Sequence, residues 1–264
     1  MTVSAKASLE KARPKTARLF CFNIHAGNAQ QTFREYLTRS WRHVLPDPGK
    51  HKNLAELGRL LREVDIAALQ EVDGGSLRSG FLNQAAYLAD QSAFPYWWQQ
   101  RNRRIGRIAE SSNCLFSRWQ PTLVEDHALP GPIRGRGALL AVYGEGKDAL
   151  AVVISHLSLG NQTRGRQFDF LSELLKPYRH IVLMGDFNCQ PHNASFKRFL
   201  ERSNLAIPGP KALNTYPAWH PERSIDHILL SSEIRPVSYD APSLLLSDHL
   251  PVAVEIELPS SFRV

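Results

Sequence analysis

Several polar residues of the sequence come just after short apolar runs, and their types are those that bind a metal ion or move a proton. The residues at these positions are Asn23 after Leu19–Phe22, Glu71 after Ile66–Leu69, His156 after Val152–Ile154 and Asp186 after Ile181–Met184. Short apolar runs bounded by turn residues are strand candidates. Because strands of an α/β fold deliver such side chains to one sheet edge, we expect a shared crevice there.

The segment Gly185-Asp186-Phe187-Asn188 carries a carboxylate and an amide two positions apart. In an extended segment Asp186 and Asn188 point to the same side, because side chains alternate with period two. The carboxylate can take a proton from water, and the amide N–H can stabilise negative charge on a phosphoryl oxygen. The alternative is a turn in which both side chains bond to the local backbone.

Two further acidic residues lie beside histidines near the end of the chain. In Ser247-Asp248-His249-Leu250-Pro251, Asp248 can ligate a hard cation and His249 can bind a phosphate or an attacking water. A surface turn is the alternative. Asp226 interrupts an apolar strand, so it needs a partner, and we expect this partner to be His249, whose imidazole a carboxylate would orient.

Glu71 and His156 are less specific when each is taken alone. A single carboxylate with waters and phosphate oxygens suits Mg²⁺, which keeps much of its hydration. Glu71 is equally compatible with a strand-end cap, and His156 with a hydrogen-bonded core histidine.

The elements that position these residues alternate between strands and helices. Eight segments have the composition of strands: Leu19–Ile24, Asp65–Gln70, Asn113–Ser117, Ala138–Tyr143, Leu150–Ser155, Ile181–Met184, Ile225–Leu230 and Val252–Leu258. Helical periodicity is present in Leu54–Val64 and in Phe168–Leu175. The fourth and fifth strands, joined by a glycine-containing turn, predict a hairpin, so the sheets are mixed and covered by helices on their outer faces.

Length and composition predict one globular domain. Residues 1–17 form a basic segment without the apolar core of a secretory signal, and we expect a flexible arm followed by a domain over residues 18–264. No apolar run is long enough to cross a bilayer. Three widely spaced cysteines indicate buried thiols in a reducing cytoplasm. We expect a monomer.

The chain carries a formal charge of +7, which favours polyanionic partners. A cluster of Arg101, Arg103, Arg104 and Arg107 is compatible with a phosphate groove or with a solvated loop. Trp97 and Trp98 are compatible with base stacking or with a place in the core.

Together these motifs resemble the endonuclease/exonuclease/phosphatase superfamily, which includes DNase I, exonuclease III-type repair enzymes, sphingomyelinases and inositol polyphosphate 5-phosphatases. They occur in the family's order: F-N-I-H at Phe22–His25, L-Q-E-V at Leu69–Val72, N-C-L-F-S at Asn113–Ser117, S-H-L at Ser155–Leu157, G-D-F-N at Gly185–Asn188, S-I-D-H-I at Ser224–Ile228 and S-D-H-L-P at Ser247–Pro251. The chain is most similar to short bacterial members of uncertain substrate. Four residues separate Pro217-Ala218-Trp219 from the Asp226 motif. In the 5-phosphatases the corresponding Trp is followed almost directly by the Asp motif.

The resemblance implies an α/β fold of the DNase I-like type, a four-layer α/β/β/α sandwich of two mixed β-sheets flanked by helices. It also implies a site for Mg²⁺ or Mn²⁺ held by Glu71 with support from Asn23 and Asp248.

The resemblance further assigns catalytic roles to His156, Asp186, Asn188, Asp226 and His249. Asp186 and Asn188 would position and activate the attacking water. The two histidines would contact the scissile phosphate, with Asp226 orienting His249. In relatives of the DNase I type a second carboxylate holds the first histidine, and Glu110 is the candidate for that role.

These assignments predict a divalent-metal-dependent phosphoester hydrolase. Basic charge, with Arg101, Arg103 and Arg104 as substrate-binding residues, favours a phosphodiesterase or nuclease acting on nucleic acid. The alternative is a phospholipid or sphingolipid phosphodiesterase, or a small-molecule phosphatase, because the chain has no long basic insertion that would grip DNA. A non-catalytic binding protein with this fold is disfavoured, since every acid, amide and imidazole of the set is present.

Overall fold

The computed structural model describes residues 16–28, 47–132, 135–259 and 262. The strands are β1 (Thr16–Asn23), β2 (Ile66–Val72), β3 (Tyr96–Ile105), β4 (Ala109–Ser117), β5 (Leu123–Ala128), β6 (Gly137–Tyr143), β7 (Leu150–His156), β8 (His180–Asp186), β9 (Leu205–Ala206), β10 (Asp226–Ser231), β11 (Pro236–Asp240) and β12 (Val252–Glu257). The α-helices are α1 (Pro48–Leu60), α2 (Gln84–Ser92), α3 (Asn161–Leu175) and α4 (Ala194–Ser203). Short 3₁₀ turns cover His25–Gly27, Leu61–Glu63, Leu77–Ser79 and Gly146–Asp148.

The strands form two six-stranded mixed sheets. The first has the order β11-β12-β1-β2-β4-β3 and the second the order β5-β6-β7-β8-β10-β9. Each sheet contains one parallel pair, β1 with β2 and β7 with β8, and its other pairs are antiparallel. The expected hairpin of β6 and β7 is present.

The two sheets pack face to face, and the helices cover their outer faces. The apolar side chains between the sheets come from both, among them Leu19 and Cys21 of β1 and Val182 and Met184 of β8. A second cluster lies between the first sheet and α1 and α2, and a third between the second sheet and α3 and α4. The four-layer α/β/β/α sandwich is therefore confirmed.

The sequence of strand β1 reflects the burial of both of its faces. Leu19 and Cys21 point between the sheets, whereas Phe20 and Phe22 point toward α1 and α2. Because both faces are covered, the strand reads as a continuous apolar run rather than an alternating one. The same run ends at Asn23, which leaves the first polar side chain at the sheet edge.

The eight predicted strands are all present, with ends shifted by a few residues. Strand β1 begins at Thr16, so residues 16 and 17 of the expected arm pair with Glu257 and Ile256 of β12. Residues 1–15 of that arm lie outside the described residues. None of the described helices has the length and apolar character needed to span a bilayer.

Candidate active site

The predicted site residues meet at one end of the two sheets. Asn23 and Glu71 lie at the ends of the parallel strands β1 and β2, and His156 and Asp186 at the ends of the parallel strands β7 and β8. Asp226 opens β10, where its backbone is paired with Asp186. The carboxyl ends of two parallel pairs, one from each sheet, therefore face each other across the sandwich.

Asp186 lies at the centre of this group. Its Oδ2 accepts a hydrogen bond from Asn23 Nδ2 at 3.0 Å and lies 3.3 Å from His156 Nε2 and 4.0 Å from His249 Nε2. Its Oδ1 accepts from the backbone N–H of Asn188 at 2.9 Å. The side chain is 2% exposed, so these donors replace the water that an ionised carboxylate needs.

The segment after Asp186 is a turn and not the extended chain expected from the sequence. Asn188 has a φ of +49°, and its N–H bonds to the Asp186 carboxylate, as in the alternative weighed for this motif. Its side-chain Nδ2 donates to Leu157 O at 3.0 Å and lies 3.2 Å from His156 Nε2. The turn therefore still brings Asp186 and Asn188 to the same imidazole.

The contact expected between Asp226 and His249 is present. Asp226 Oδ2 lies 2.8 Å from His249 Nδ1 and also accepts from the hydroxyl of Thr215. Burial lowers the pKa of His249, but the facing Asp226 carboxylate and the nearby Asp186 outweigh it and raise this pKa to about 10. His249 is accordingly a buried imidazolium whose free Nε2 faces Asp186.

His156 has the opposite character. Burial is the largest influence on its ring and lowers its pKa to about 4, although Asp186 opposes the shift. A neutral imidazole and a protonated imidazole therefore stand on either side of one carboxylate, which separates their acid–base roles.

Glu71 and Asp248 provide an oxygen donor set beside Asp186. Burial raises the pKa of each carboxyl, but the nearby histidine rings, His25 foremost, together outweigh this and lower both pKa values, so both groups are ionised. Asp248 Oδ1 lies 3.1 Å from His25 Nδ1. Two carboxylates that repel each other in a buried site fit a hard divalent cation, and Asn23 adds an amide next to them.

A second group of donors, Asp186, Asp226 and His249, is also compact, with one ligand atom from each lying within 4.8 Å of the others. In this group His249 Nδ1 and the Thr215 hydroxyl both bond to Asp226 Oδ2. Because Asp226 Oδ2 is already occupied by these two donors, we regard this group as a proton-holding network and Glu71 with Asp248 as the better cation site.

The backbone at Glu71 has an unusual conformation. Its φ is +57°, which is rare for a residue other than glycine, and the pairing of β2 with β4 is irregular between Leu69 and Val72. Such an irregularity redirects a side chain at the end of a strand. It turns the Glu71 carboxylate toward Asp248 and the histidines instead of leaving it in the strand's alternation.

A cleft of about 430 Å³ opens from these residues. Glu71 and His156 form part of its wall, together with Arg103 and Arg136. The guanidinium of Arg136 forms no ion pair or hydrogen bond with a described residue. Burial lowers its pKa, and the fields of Asp186 and Glu71 partly offset this shift. Arg136 therefore brings a free positive charge to the same end of the cleft.

The arginines and tryptophans of β3 lie in different environments, and only one of them lines the cleft. Arg103 lines the cleft, Arg101 pairs with Glu110 at 3.2 Å, and Arg104 is exposed beside the β3–β4 turn. Trp98 packs against the core between the sheets, whereas Trp97 is partly exposed beside α2 and Pro95. Neither tryptophan lines the cleft.

Glu110 does not have the partner expected for it. Its carboxylate pairs with Arg101, and the carboxylate that approaches His156 is Asp186. Glu110 lies on β4, from which its side chain reaches the neighbouring strand β3. It therefore forms a cross-strand ion pair instead of a contact to β7.

Three residues of the site were not predicted from the sequence. His25 belongs to the F-N-I-H motif but received no role, Thr215 precedes the Pro217-Ala218-Trp219 segment, and Arg136 lies in an uninformative R-G-R-G stretch. The backbone of this segment also holds the Asp248 loop, since Ala218 N donates to Asp248 O and Leu250 N to Thr215 O. The order of the family motifs could have identified His25 and this segment as part of the site. No feature of the sequence around Arg136 indicated its role.

Known proteins share this architecture. The Endonuclease/Exonuclease/phosphatase family model matches residues 22–249. An endonuclease/exonuclease/phosphatase from Beutenbergia cavernae DSM 12333 superimposes with a TM-score of 0.72 at 18% identity, covering 93% of this chain and 72% of that one. No curated protein matches the sequence.

Two other similar structures carry names that state an activity or a bound molecule. Sphingomyelinase C from Streptomyces griseocarneus has a TM-score of 0.60 at 16% identity, covering 91% of this chain and 99% of that one. D. rerio TDP2, complexed with a single-strand DNA product, has a TM-score of 0.67 at 14% identity, covering 91% and 98%. At such identities the similarity establishes the fold.

Proposed function

The chain belongs to the endonuclease/exonuclease/phosphatase family, whose members are hydrolases acting on phosphoesters, and from this we propose that it cleaves phosphodiesters by metal-dependent, direct attack of water on phosphorus. The observation that carries the proposal is the environment of Asp186. This buried carboxylate accepts hydrogen bonds from Asn23 and Asn188 and lies between two histidines, one neutral and one protonated. No serine or cysteine nucleophile is required.

Members of this family generally use a divalent metal ion, and the donor set here fits Mg²⁺ or Mn²⁺. We assign the cation to Glu71 and Asp248, with Asn23 in support. When bound, the ion would offset negative charge on the phosphoryl oxygens and the leaving oxygen.

Asp186 and Asn188 act on the attacking water in this proposal. The Asp186 carboxylate accepts the proton of the water as the water oxygen bonds to phosphorus. The Asn188 amide, fixed by Leu157 O, orients the reacting groups. The bond from phosphorus to the leaving oxygen then breaks, and that oxygen takes a proton from solvent.

The two histidines contribute charge and hydrogen bonds. The imidazolium of His249, held by Asp226, donates through Nε2 to a non-bridging phosphoryl oxygen where negative charge develops. The neutral ring of His156 contacts the same phosphate from the other side of Asp186. Asp226 is a positioning residue, since it acts through His249.

Nucleic acid is the first substrate class that we propose. The support is electrostatic, because Arg103 and Arg136 line the cleft, whereas Arg104 lines the neighbouring depression on the other face of β3. The positive charge in the cleft suits a chain of phosphates. The tryptophans no longer support this class, since they lie away from the cleft.

A phospholipid or sphingolipid phosphodiester is the second candidate, with a small phosphoester as a variant of it. The observation that favours a lipid is the presence of exposed aliphatic side chains, Ile105 and Leu159, on the walls of the cleft. The charged sugar-phosphate backbone of a nucleic acid is not stabilised by contact with such side chains, whereas the acyl chains of a lipid are.

The reaction is tested with the activated diester bis(p-nitrophenyl) phosphate, which needs no specific recognition. We expect hydrolysis with Mg²⁺ or Mn²⁺, none with a chelator, and a loss of about a thousandfold in Asp186→Asn. Asp169→Asn, an exposed carboxyl on α3, is the matched control and should retain full activity. Hydrolysis that survives the chelator or Asp186→Asn contradicts the proposal.

The substrate class is tested next with single-stranded DNA, RNA, phosphatidylcholine and sphingomyelin. Release of nucleotides favours the first candidate and release of a phosphorylated headgroup the second. Asp186→Asn must abolish either activity for it to count.

We also propose that the protein works as a monomer in the cytoplasm. Cys21, Cys114 and Cys189 are all buried free thiols, which suits a reducing compartment.

A further inference from the structure

Four exposed apolar side chains lie in and beside the cleft and have no role in the proposed chemistry: Ile105 and Leu159 line the cleft itself, Ile108 lies in the turn of the β3–β4 hairpin, and Phe81 lines a depression next to that turn. Phe81 is 60% exposed, Ile105 49%, Ile108 45% and Leu159 76%. Single exposed apolar residues are ordinary, but these four are nearly half of the large exposed apolar side chains in the described part of the chain. We call them the apolar rim.

The apolar rim is built from three elements, two of which are held together by hydrogen bonds. The β3–β4 hairpin continues past the end of β2, because the pairing of β2 with β4 ends at Val72 and Ser112. Its turn is held to the 76–81 loop by hydrogen bonds from Leu77 N to Arg107 O and from Arg78 N to Ile108 O. Leu159 stands across the cleft, in the loop between β7 and α3.

The 76–81 loop is itself rigid. The buried carboxylate of Asp73 accepts hydrogen bonds from Ser76, Arg78 and Ser79. Phe81 lines a smaller depression together with Arg104 and Arg107, so its ring lies beside the hairpin turn. The exposed rings and aliphatic chains are thus presented by ordered backbone.

The charge around the apolar rim is positive. Arg103, Arg104 and Arg107 belong to the hairpin and form no ion pair with a carboxylate among the described residues. The one acidic side chain of the hairpin, Glu110, is already paired with Arg101. Anionic partners therefore meet uncompensated arginines next to the apolar side chains.

We propose that the apolar rim and these three arginines form a docking surface for an anionic lipid bilayer. Isoleucine, leucine and phenylalanine side chains gain by entering the acyl boundary, while arginines beside them bind headgroup phosphates. Nucleic acid would use the arginines but would leave the aliphatic side chains in water. Docking would place the cleft mouth at the lipid surface and, resting on the proposed hydrolysis, would favour the second candidate substrate, a lipid phosphodiester, over nucleic acid.

The docking surface does not require the proposed hydrolysis, because binding is measured without turnover. Sedimentation with vesicles of phosphatidylcholine, with and without phosphatidylglycerol, is measured in chelator. We expect binding to the anionic vesicles, weaker binding to the neutral ones, and a decrease as salt is raised.

The double variant Ile105→Ser/Ile108→Ser is expected to lower vesicle partitioning about tenfold or more. Leu123→Ser/Val237→Ser is the matched control, because these residues are also exposed, at 43% and 53%, but lie on β5 and β11 at the far end of the sheets. Each pair of changes is on the surface, so urea unfolding should show equal stability. Equal partitioning of both variants would overturn the proposal.

Nucleic acid is the competing outcome. If the protein ignores vesicles and binds single-stranded DNA, with Arg104→Ala/Arg107→Ala weakening binding and the isoleucine variant unchanged, the surface is a nucleic-acid site. Failure of the chemistry is separate: a protein that binds vesicles but leaves bis(p-nitrophenyl) phosphate intact contradicts the hydrolase and not the docking surface.

Discussion

Arg136 is a positively charged residue of the cleft that has no ion-pair partner among the described residues. It lines the cleft within the fields of Asp186 and Glu71 but forms no ion pair with a described residue. A phosphodiester would give its guanidinium two oxygens to bind at once. The side chain is thus expected to hold the substrate's non-bridging oxygens.

Replacing Arg136 with alanine should lower kcat/KM for bis(p-nitrophenyl) phosphate about tenfold to a hundredfold, the range for one charge-assisted hydrogen-bonded contact. Arg136→Lys should recover part of the loss, since it restores the charge but not the planar fork. Arg166→Ala, an exposed arginine on α3, is the control. Equal rates in the Arg136→Ala and Arg166→Ala proteins would remove Arg136 from the site.

His227 is a buried histidine next to the site but points away from it, into the cluster under α4. Its Nε2 lies 2.9 Å from Cys189 O, and its ring packs on Phe187 and Phe196. Burial is the main reason that its pKa falls to about 4, so the folded protein holds this ring neutral. As pH falls from the ordinary histidine value toward 4, the unfolded chain binds a proton that the folded one does not, and stability is lost.

We therefore predict that His227→Phe flattens the acid side of the stability profile. The wild type should lose about 2 kcal/mol of unfolding free energy between about pH 7.5 and pH 5 through this residue. His227→Phe keeps a ring but cannot be protonated, so its loss should be smaller by that amount. Urea unfolding at the two pH values, followed by tryptophan fluorescence, measures the difference. Parallel profiles would show that His227 is not buried neutral.

The residues predicted from sequence were those at the ends of apolar strands. Asn23, Asp186 and His156 could be found because a polar side chain directly after a buried apolar strand must lie at the edge of the sheet. Arg136 and Thr215 could not, since their positions depend on how loops from distant parts of the chain meet. The turn at Asn188 was predicted only as the alternative to an extended segment, because a left-handed residue other than glycine leaves a weak sequence signal.

Among the elements, α3 and α4 are joined by a group of aromatic rings. Phe168 stacks on Phe196 and Phe199 with ring centroids 5.4 and 4.8 Å apart, and it meets Phe187 edge to face at 6.2 Å. Phe187 lies between Asp186 and Asn188. The aromatic group thus supports the turn that carries the site.

Phe168→Ala should destabilise the protein by about 3 to 5 kcal/mol, the usual cost of a large cavity in a well-packed cluster. Phe170→Ala, which removes a half-buried ring from the same helix, should cost clearly less. Thermal unfolding with a matched urea titration measures both. A similar loss in the two variants would mean that the aromatic group is not the point at which the helices are held.

The strands that were not predicted share one property, which is weak burial on at least one face. Strand β3 is largely exposed and contains four charged or polar residues in succession from Arg101, so it has the composition of a loop. It is a strand because its backbone pairs with β4 along nearly its full length. Edge strands β5, β9 and β11 were missed for the same reason, since pairing leaves no pattern in the sequence.

In the whole molecule, the site lies where two sheets meet, so its charges bear on the stability of the entire sandwich. Glu71 and Asp248 repel each other in the metal-free protein, although the nearby histidine rings keep the Glu71 carboxylate ionised, and Glu71 also has a strained backbone. Active sites often sacrifice stability in this way. Metal binding to the folded state alone would then recover stability by mass action.

Adding Mg²⁺ or Mn²⁺ at about a hundred times its dissociation constant should raise Tm by about 5 to 10 °C, the shift expected from about 2.7 kcal/mol of linkage in a chain of this size. Glu71→Gln should lower the metal-free Tm by about 2 °C, because the nearby histidine rings stabilise the ionised carboxylate of Glu71 in the folded protein, and should abolish the shift with metal. Glu56→Gln, an exposed change on α1, should behave as the wild type in both respects. A full metal shift in Glu71→Gln would move the cation to the Asp186, Asp226 and His249 group. A metal-free Tm that rises in this variant would mean that repulsion from Asp248 outweighs the attraction of the histidines for Glu71.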